Sequence, residues 1–325
     1  MNESHDIPSR STVVFRKTYS SDQAELHRLY ENAKRDQWNA TKDIPWERAV
    51  DLEGGVIADE LLDAFGTRYW ERLSAREQSE LNRRIATWRL GTLMYGEHGA
   101  MLVSSQLVEM VAGGDAKFFQ ATQVVDEARH TEVLSRYIEE KLGGVPYPMP
   151  LAEKELFDTL IGDPRWPVKT IGLQLVAETF AVSLFRMLAE TSKDPLLREI
   201  CRRILADESR HMGFGMLSLP AVVADSSESE RRELEDVTEW ALVKVLKDLF
   251  PYDAYRETGF DDAEIEDIRR LKRERQAGGE AMLFRQVFRK ELDSALLANL
   301  GRIGLLNEGS RARLAAIGIR APGPS

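Results

Sequence analysis

The pattern Asp-Glu-x-Arg-His occurs twice, as Asp126-Glu127-Ala128-Arg129-His130 and as Asp207-Glu208-Ser209-Arg210-His211, in a chain of 325 residues with only five histidines. At average residue frequencies such a recurrence has a chance on the order of one in a hundred thousand, so the copies are read as one device used twice. Both lie in stretches of helical periodicity. Residues three apart on a helix share a face, so Glu127 with His130, and Glu208 with His211, can each offer a carboxylate oxygen and an imidazole nitrogen to one metal ion. A single Glu-x-x-His is more often an exposed pair, and the reading therefore depends on what the fold brings to meet these two.

After Thr12-Val13-Val14-Phe15 there is no alternating run bounded by turns, and the periodicity predicts an all-α fold. A long helix over 77–112 stops at Gly113-Gly114, and a second, with Asp115 as its cap, continues to Leu142. Pro146, Pro148 and Pro150 open a crossover that holds a short helix over 151–160. A second hairpin follows over 168–191 and, with Asp194 as N-cap and Pro195 at the first helical position, on to Ser218. Two hairpins joined by a crossover predict a ferritin-like four-helix bundle. Its metal-binding core spans 77–218, flanked by helices within 20–70 and 229–317, all in a single domain over 1–325.

A di-metal carboxylate bundle needs one Glu from each of the other two helices. The most apolar long stretch, 170–190, approaches the length of a membrane span but carries Glu178 at its centre and Arg186 near its end, so it reads as a buried core helix. A buried, ionised carboxylate needs a cation, a proton or a metal. Glu97 is its counterpart: 127 − 97 = 30 and 208 − 178 = 30, so each hairpin sets a lone Glu on its first arm and Glu-x-x-His on its second at equal separation. Counts to the turns put the carboxylates level, with a slightly poorer match in the first hairpin that a helical irregularity there would absorb. Glu109 is the rival, but twelve residues rotate it by about 120° from Glu97.

The acids that precede the ligand pairs, Asp126 and Asp207, can each accept the outer N–H of an imidazole of the opposite half, with Arg129 and Arg210 pairing with them. The alternative is a solvated salt bridge on the bundle surface. His98 points off the Glu97 face and reads as a packing histidine or one that touches a ligand. His5 and His27 lie outside the bundle, and Cys201 reads as a small apolar filler.

Net charge −10 without a dense basic run excludes a phosphate-tracking surface for nucleic acid. A single cysteine and a polar start, Met-Asn-Glu-Ser-His-Asp, without the apolar stretch of a secretory signal lead us to expect a cytoplasmic protein with no membrane partner.

At these residues the sequence resembles the ferritin-like di-iron carboxylate oxygenases and oxidases. The motifs at 126–131 and 207–212 are similar to those of multicomponent monooxygenase hydroxylase subunits. Overall length and the Gly96-Glu97 pair are closer to the stand-alone p-aminobenzoate N-oxygenases and the ligand-binding oxidases related to the ribonucleotide reductase small subunit. The departures narrow what is implied. Ala100 and Leu173 replace the Val and Tyr that form an ether cross-link in the ligand-binding oxidases, and Leu134 stands at the radical Tyr position of the reductase subunit. Val182 replaces the Thr of the multicomponent hydroxylases, and Ile204 stands where N-oxygenases carry an additional His ligand.

The resemblance implies two Fe ions, with Mn/Fe as the variant, held by Glu97, Glu127, His130, Glu178, Glu208 and His211. It further implies O2 as co-substrate, a small organic substrate, an external electron donor and room for a homodimer. The expected activity is oxygenation of an apolar or aromatic molecule by hydroxylation or amine N-oxygenation, hydroxylation being favoured by Ile204. The alternative is a ferroxidase or iron-handling protein.

Overall fold

The computed structural model describes residues 5–17, 20–247, 249–277 and 283–320, and contains no strand among them. Helix α1 covers Ala24–Arg35. Helix α2, Ala75–Met110, opens on a reciprocal cap in which the Ser74 N–H donates to Glu77 Oε2 at 2.7 Å and the Glu77 N–H to Ser74 Oγ at 3.4 Å. Extended backbone at Val111 and Gly113 turns the chain into α3, Gly114–Lys141. The crossover carries α4, Leu151–Gly162, directly after Pro150.

The second hairpin pairs α5, Trp166–Thr191, with α6, Pro195–Asp225. Asp194 accepts the N–H groups of Leu196 and Leu197 and so satisfies two donors left over at the start of α6. Helix α6 runs past the expected stop at Ser218 and through Pro220, because Leu219 and Val223 continue its buried apolar stripe. Then follow α7 (Glu228–Leu246), α8 (Asp262–Ala277), α9 (Lys290–Ile303) and α10 (Glu308–Ala316).

The flanking segments are less helical than expected. Helix α1 ends at Arg35, and 36–74 holds only a 3-10 turn, Asp59–Leu61, and one short helix, Arg68–Glu71. Buried Leu61, Leu62 and Tyr69 reach the core from irregular chain whose turns satisfy their own backbone. Within the flank expected over 229–317, residues 278–282 lie outside the described residues, and 283–284 are helical and lead into a π-helical turn, Arg285–Arg289.

Helices α2 with α3, and α5 with α6, pack as antiparallel hairpins that face each other to form the four-helix bundle, with α1 across α3 and α6, and α4 against α2 and α7. Length and apolarity would let Trp166–Thr191 cross a membrane, yet most of it is buried inside the protein. The apolar core divides into two clusters, one containing Leu93, Val133 and Ile204, the other Ala100, Phe119 and Phe214. Along α2, α3 and α6 the chain passes from one cluster to the other through Glu97, through Glu127 and His130, and through Glu208 and His211. The charged residues thus form a layer between two apolar halves.

Two glycines let the crossover helix come close. A Cβ on Gly99 of α2 would lie 2.4 Å from the Phe157 ring, and one on Gly172 of α5 would lie 2.3 Å from Leu160 Cδ2. Helix α4 therefore beds into both hairpins at distances no larger residue permits.

Asp115, expected to cap α3, lies inside its first turn and caps α1 instead. It accepts the backbone N–H groups of Asp22 (2.7 Å) and Gln23 (2.9 Å) and the Ser21 hydroxyl (2.8 Å), while Asp22 accepts the Gly114 N–H at 3.0 Å. The two acids cap each other's helices. Burial pushes the Asp115 carboxyl up, but these donors hold it well below the usual range. A depressed pKa contributes stability that is full above the unfolded-chain value of roughly 4 and is lost as the pH falls below it. Replacing Asp115 by Ala should cost about 2–3 kcal/mol in urea denaturation at pH 7, and the difference from wild type should shrink on acidification below pH 4.

Candidate metal centre

Six side chains from the four bundle helices converge in the charged layer: Glu97 from α2, Glu127 and His130 from α3, Glu178 from α5, and Glu208 and His211 from α6, none more than 3% exposed. One ligand atom each from Glu97, Glu127, His130 and Glu208 lies within 4.8 Å of the others, and the same holds for Glu127, Glu178, Glu208 and His211. Glu127 and Glu208 belong to both sets, as two carboxylates bridging a pair of ions would.

The expected irregularity is present, but in the other hairpin. Helix α2 is continuous through Glu97, whereas Ile171–Ala177, immediately before Glu178, is a π-helical turn. Such a wider turn accommodates an additional residue and re-aims the side chain that follows it.

Each imidazole faces carboxylates on both sides. His130 Nδ1 stands 2.9 Å from Glu208 Oε1, 3.2 Å from Glu97 Oε2 and 3.3 Å from Glu127 Oε2. His211 Nδ1 stands 3.0 Å from Glu208 Oε2 and 3.2 Å from Glu127 Oε1. One ring proton cannot serve three carboxylates. Glu127 Oε2 and Glu208 Oε1 are buried without a hydrogen bond of acceptable geometry. A cation among these oxygens would satisfy them, and two divalent ions would balance the four carboxylate charges. The donor set, imidazole and carboxylate together, suits iron or manganese.

The outer ring nitrogens cross over between halves. His130 Nε2 lies 3.0 Å from Asp207 Oδ2 and His211 Nε2 lies 3.3 Å from Asp126 Oδ2. Arg129 bridges both acids, at 2.5 Å to Asp126 and 2.9 Å to Asp207, and Arg210 donates to Asp207. Both arginines are buried or nearly so, which removes the solvated-surface alternative.

Sequence reading missed what lies behind these acids. Trp38 Nε1 donates to Asp207 at 2.8 Å with its ring stacked on His130, and Gln37 Nε2 donates to Asp126 at 2.9 Å. The only available signal was the position of both residues just past a helix end. Gln123 Nε2 donates to Glu127 Oε1 (3.0 Å) and Glu178 Oε1 (3.1 Å), so an amide on α3 touches two ligand candidates. His98 is a correction. It is exposed, because one residue's rotation of about 100° carries it out of the bundle.

Burial and the neighbouring Glu208 push Glu97 and Glu178 well above the usual carboxylate range. Burial acts the same way on Glu127 and Glu208, but the histidines outweigh it and hold both low. His130 and His211 are driven down by burial and, more strongly, up by the carboxylates around them.

The family model described as P-aminobenzoate N-oxygenase AurF matches residues 20–290. An R2-like ligand-binding oxidase with aerobically reconstituted metal cofactor after photoconversion is 18% identical, covering 86% of this chain and 94% of its own, with a TM-score of 0.48. The R2-like ligand-binding oxidase from Sulfolobus acidocaldarius is 17% identical, covering 83% and 92%, with a TM-score of 0.49. No curated protein matches the chain.

Metal binding requires deprotonated ligands, and the surroundings of Glu97, Glu178 and the two imidazoles raise their hold on protons, so binding should release protons and affinity should rise with pH. Calorimetric titration with Fe(II) or Mn(II) in buffers of different ionisation enthalpy should report net proton release; no release would contradict the electrostatics. The Glu178→Ala variant should lose at least one of two ions by metal analysis, and full occupancy would remove Glu178 from the ligand set.

Proposed function

The chain belongs to the P-aminobenzoate N-oxygenase AurF family, and from that premise we propose that this di-metal oxidoreductase is an O2-dependent di-iron oxygenase of a small organic molecule. In this reading Glu97, Glu127, His130, Glu178, Glu208 and His211 hold the ions. When bound, the ion pair supplies the electrons and open coordination positions that O2 reduction needs and that no side chain here provides. Asp126 and Asp207 fix the tautomer and orientation of the opposite imidazole, and Arg129 and Arg210 neutralise them. Gln123 orients Glu127 and Glu178 by hydrogen bonds to both. An external reductant restores the ions.

The observation that carries this reading is an apolar cavity against Glu97 and Glu178. Its walls include Ala100, Leu156, Phe157, Leu173 and Ala181, and the space open to the centres of water-sized molecules is about 70 Å³. That is several water positions at the ~10–15 Å³ each requires, in walls that offer water few partners. A compact organic body fits such a space better than water does.

A wider hollow of about 880 Å³ adjoins it, sharing Thr92, Phe180 and Leu249. Arg89, Lys272, Arg289, Lys290 and Arg320 line this approach, with Asp293 as the one acid among the described lining residues. An electropositive approach disfavours the arrival of ferrous ions and so argues against a ferroxidase. Ile204, buried four residues before Glu208, offers no further imidazole, which favours hydroxylation over amine N-oxygenation.

The test is O2 uptake by the Fe(II)-loaded protein across a panel of small aromatic compounds, with products identified by mass spectrometry. Uptake dependent on an organic compound, with oxygen incorporated into it, is the expected result; uptake that follows only added Fe(II) would establish the ferroxidase. Filling the cavity with Ala181→Phe should reduce the organic-dependent uptake at least tenfold while both ions stay bound. Unchanged dependence would place the substrate elsewhere.

A further inference from the structure

The cavity wall carries, beside Lys244 and Lys247 at its rim, a carboxyl that nothing above uses. Glu153 sits in the first turn of α4 and points its carboxyl at α2, where Oε1 lies 3.3 Å from the position a Cβ on Gly96 would take. Gly96, Glu97 and Glu153 all line the same cavity, so this carboxyl shares it with a ligand candidate. Its Oε2 is buried without a hydrogen-bond partner.

The ordinary reasons for an acid here are absent. A Glu at the third position of a helix usually reaches back to the backbone N–H of the capping residue, but that residue is Pro150, which has none. Among the described residues no ion pair holds Glu153 either: Lys154 pairs with Asp158 and Lys244 with Glu155, and Lys247, the other lysine of the wall, is exposed. Attraction to the positive end of α4 would be served equally well by a carboxylate in solvent. A buried polar group with no partner is costly and calls for a partner the protein alone does not contain.

We propose that Glu153 anchors the polar end of the substrate, its carboxyl hydrogen-bonding an uncharged hydroxyl, amine or amide on a compact and otherwise apolar molecule. The proposal rests on the oxygenase reading and deepens it by naming the residue that selects among small molecules. Burial favours the protonated form of Glu153, in which a carboxyl both donates and accepts; as a carboxylate it still accepts from a hydroxyl, amine or amide. The polar atom would lie one residue from Glu97, which fixes which part of the molecule faces the ions.

The test is a binding cycle in the Fe(II)-loaded protein under anaerobic conditions, with phenol and toluene as probes of nearly equal shape. Glu153→Leu should shift the phenol-to-toluene affinity ratio toward toluene by about tenfold, the worth of one net hydrogen bond. Glu153→Gln, whose amide also donates and accepts, should keep the ratio within about twofold of wild type. Without any probe, Glu153→Leu should raise the thermal midpoint, since it removes an unpartnered buried carboxyl.

An unchanged ratio in Glu153→Leu, or no binding of either probe to the wild-type protein, would overturn the proposal. So would a Glu153→Leu chain that fails to fold beside a sound Glu153→Gln, which would mark a structural carboxyl. Because the cycle needs no turnover, a shifted ratio without any organic-dependent O2 uptake would sink the oxygenase reading and leave the binding site standing.

Discussion

Four carboxylates and two imidazoles buried at one level of a helical bundle are the constraint from which the rest of this structure follows. Each ionised group taken from water costs several kcal/mol unless its charge is matched, and here the like charges stand within hydrogen-bond distance of the same two rings. The bundle resolves this in two tiers. Inside, the oxygens of Glu127 and Glu208 are left for cations. Outside, Asp126 and Asp207 take the far nitrogens of the opposite histidines, and Arg129 and Arg210 offset the acids, so the outer tier is close to neutral by itself. The apolar core has to divide around this layer, which is why Phe119 and Phe214 belong to one cluster while Val133 and Ile204 belong to the other.

The near-twofold arrangement is broken in ways that give the two halves different chemistry. Asp207 takes the indole N–H of Trp38 and Asp126 the amide of Gln37, so one histidine is backed by an aromatic ring and the other by an amide. Glu178 has a hydrogen bond from Gln123, while Glu97 has no amide and instead faces His130 Nδ1 at 3.2 Å. The π-helical turn before Glu178 has no counterpart before Glu97. Two ions bound here would meet unequal surroundings even though their ligand types match.

What could be read from the chain is what repeats at helical spacing. The pairs Glu127 with His130 and Glu208 with His211 and their upstream partners at thirty residues are legible because face and height on a helix are arithmetic. The same arithmetic assumes a uniform helix, so the π turn at Ile171–Ala177 was invisible, and an irregularity was expected in the wrong hairpin. Asp115 looks like a cap for the helix it begins, since nothing local reveals that Asp22, some ninety residues earlier, meets it. Trp38 lies outside the bundle helices and Glu153 in the short crossover helix, and neither repeats in the other half. Their roles exist only once tertiary contacts form, the first against Asp207 and the second against Gly96. His98 was misplaced for the opposite reason, a local neighbour of Glu97 credited with its burial.

The division between legible and illegible residues follows a division of labour in the fold. The duplicated hairpins determine which ions and which reaction the centre can support, because moving any of their six converging side chains by one residue takes it off the shared face. The crossover helix α4 is under no such rule, and what ties it down is close contact: Phe157 against Gly99 and Leu160 against Gly172, where a single Cβ would intrude to within 2.4 Å. Those contacts hold Glu153, Leu156 and Phe157 as one wall of the cavity without touching the ligand geometry. A chain built this way can change what it accepts by altering residues on α4 between the two glycine contacts, while the charge balance that permits the centre to exist stays as it is.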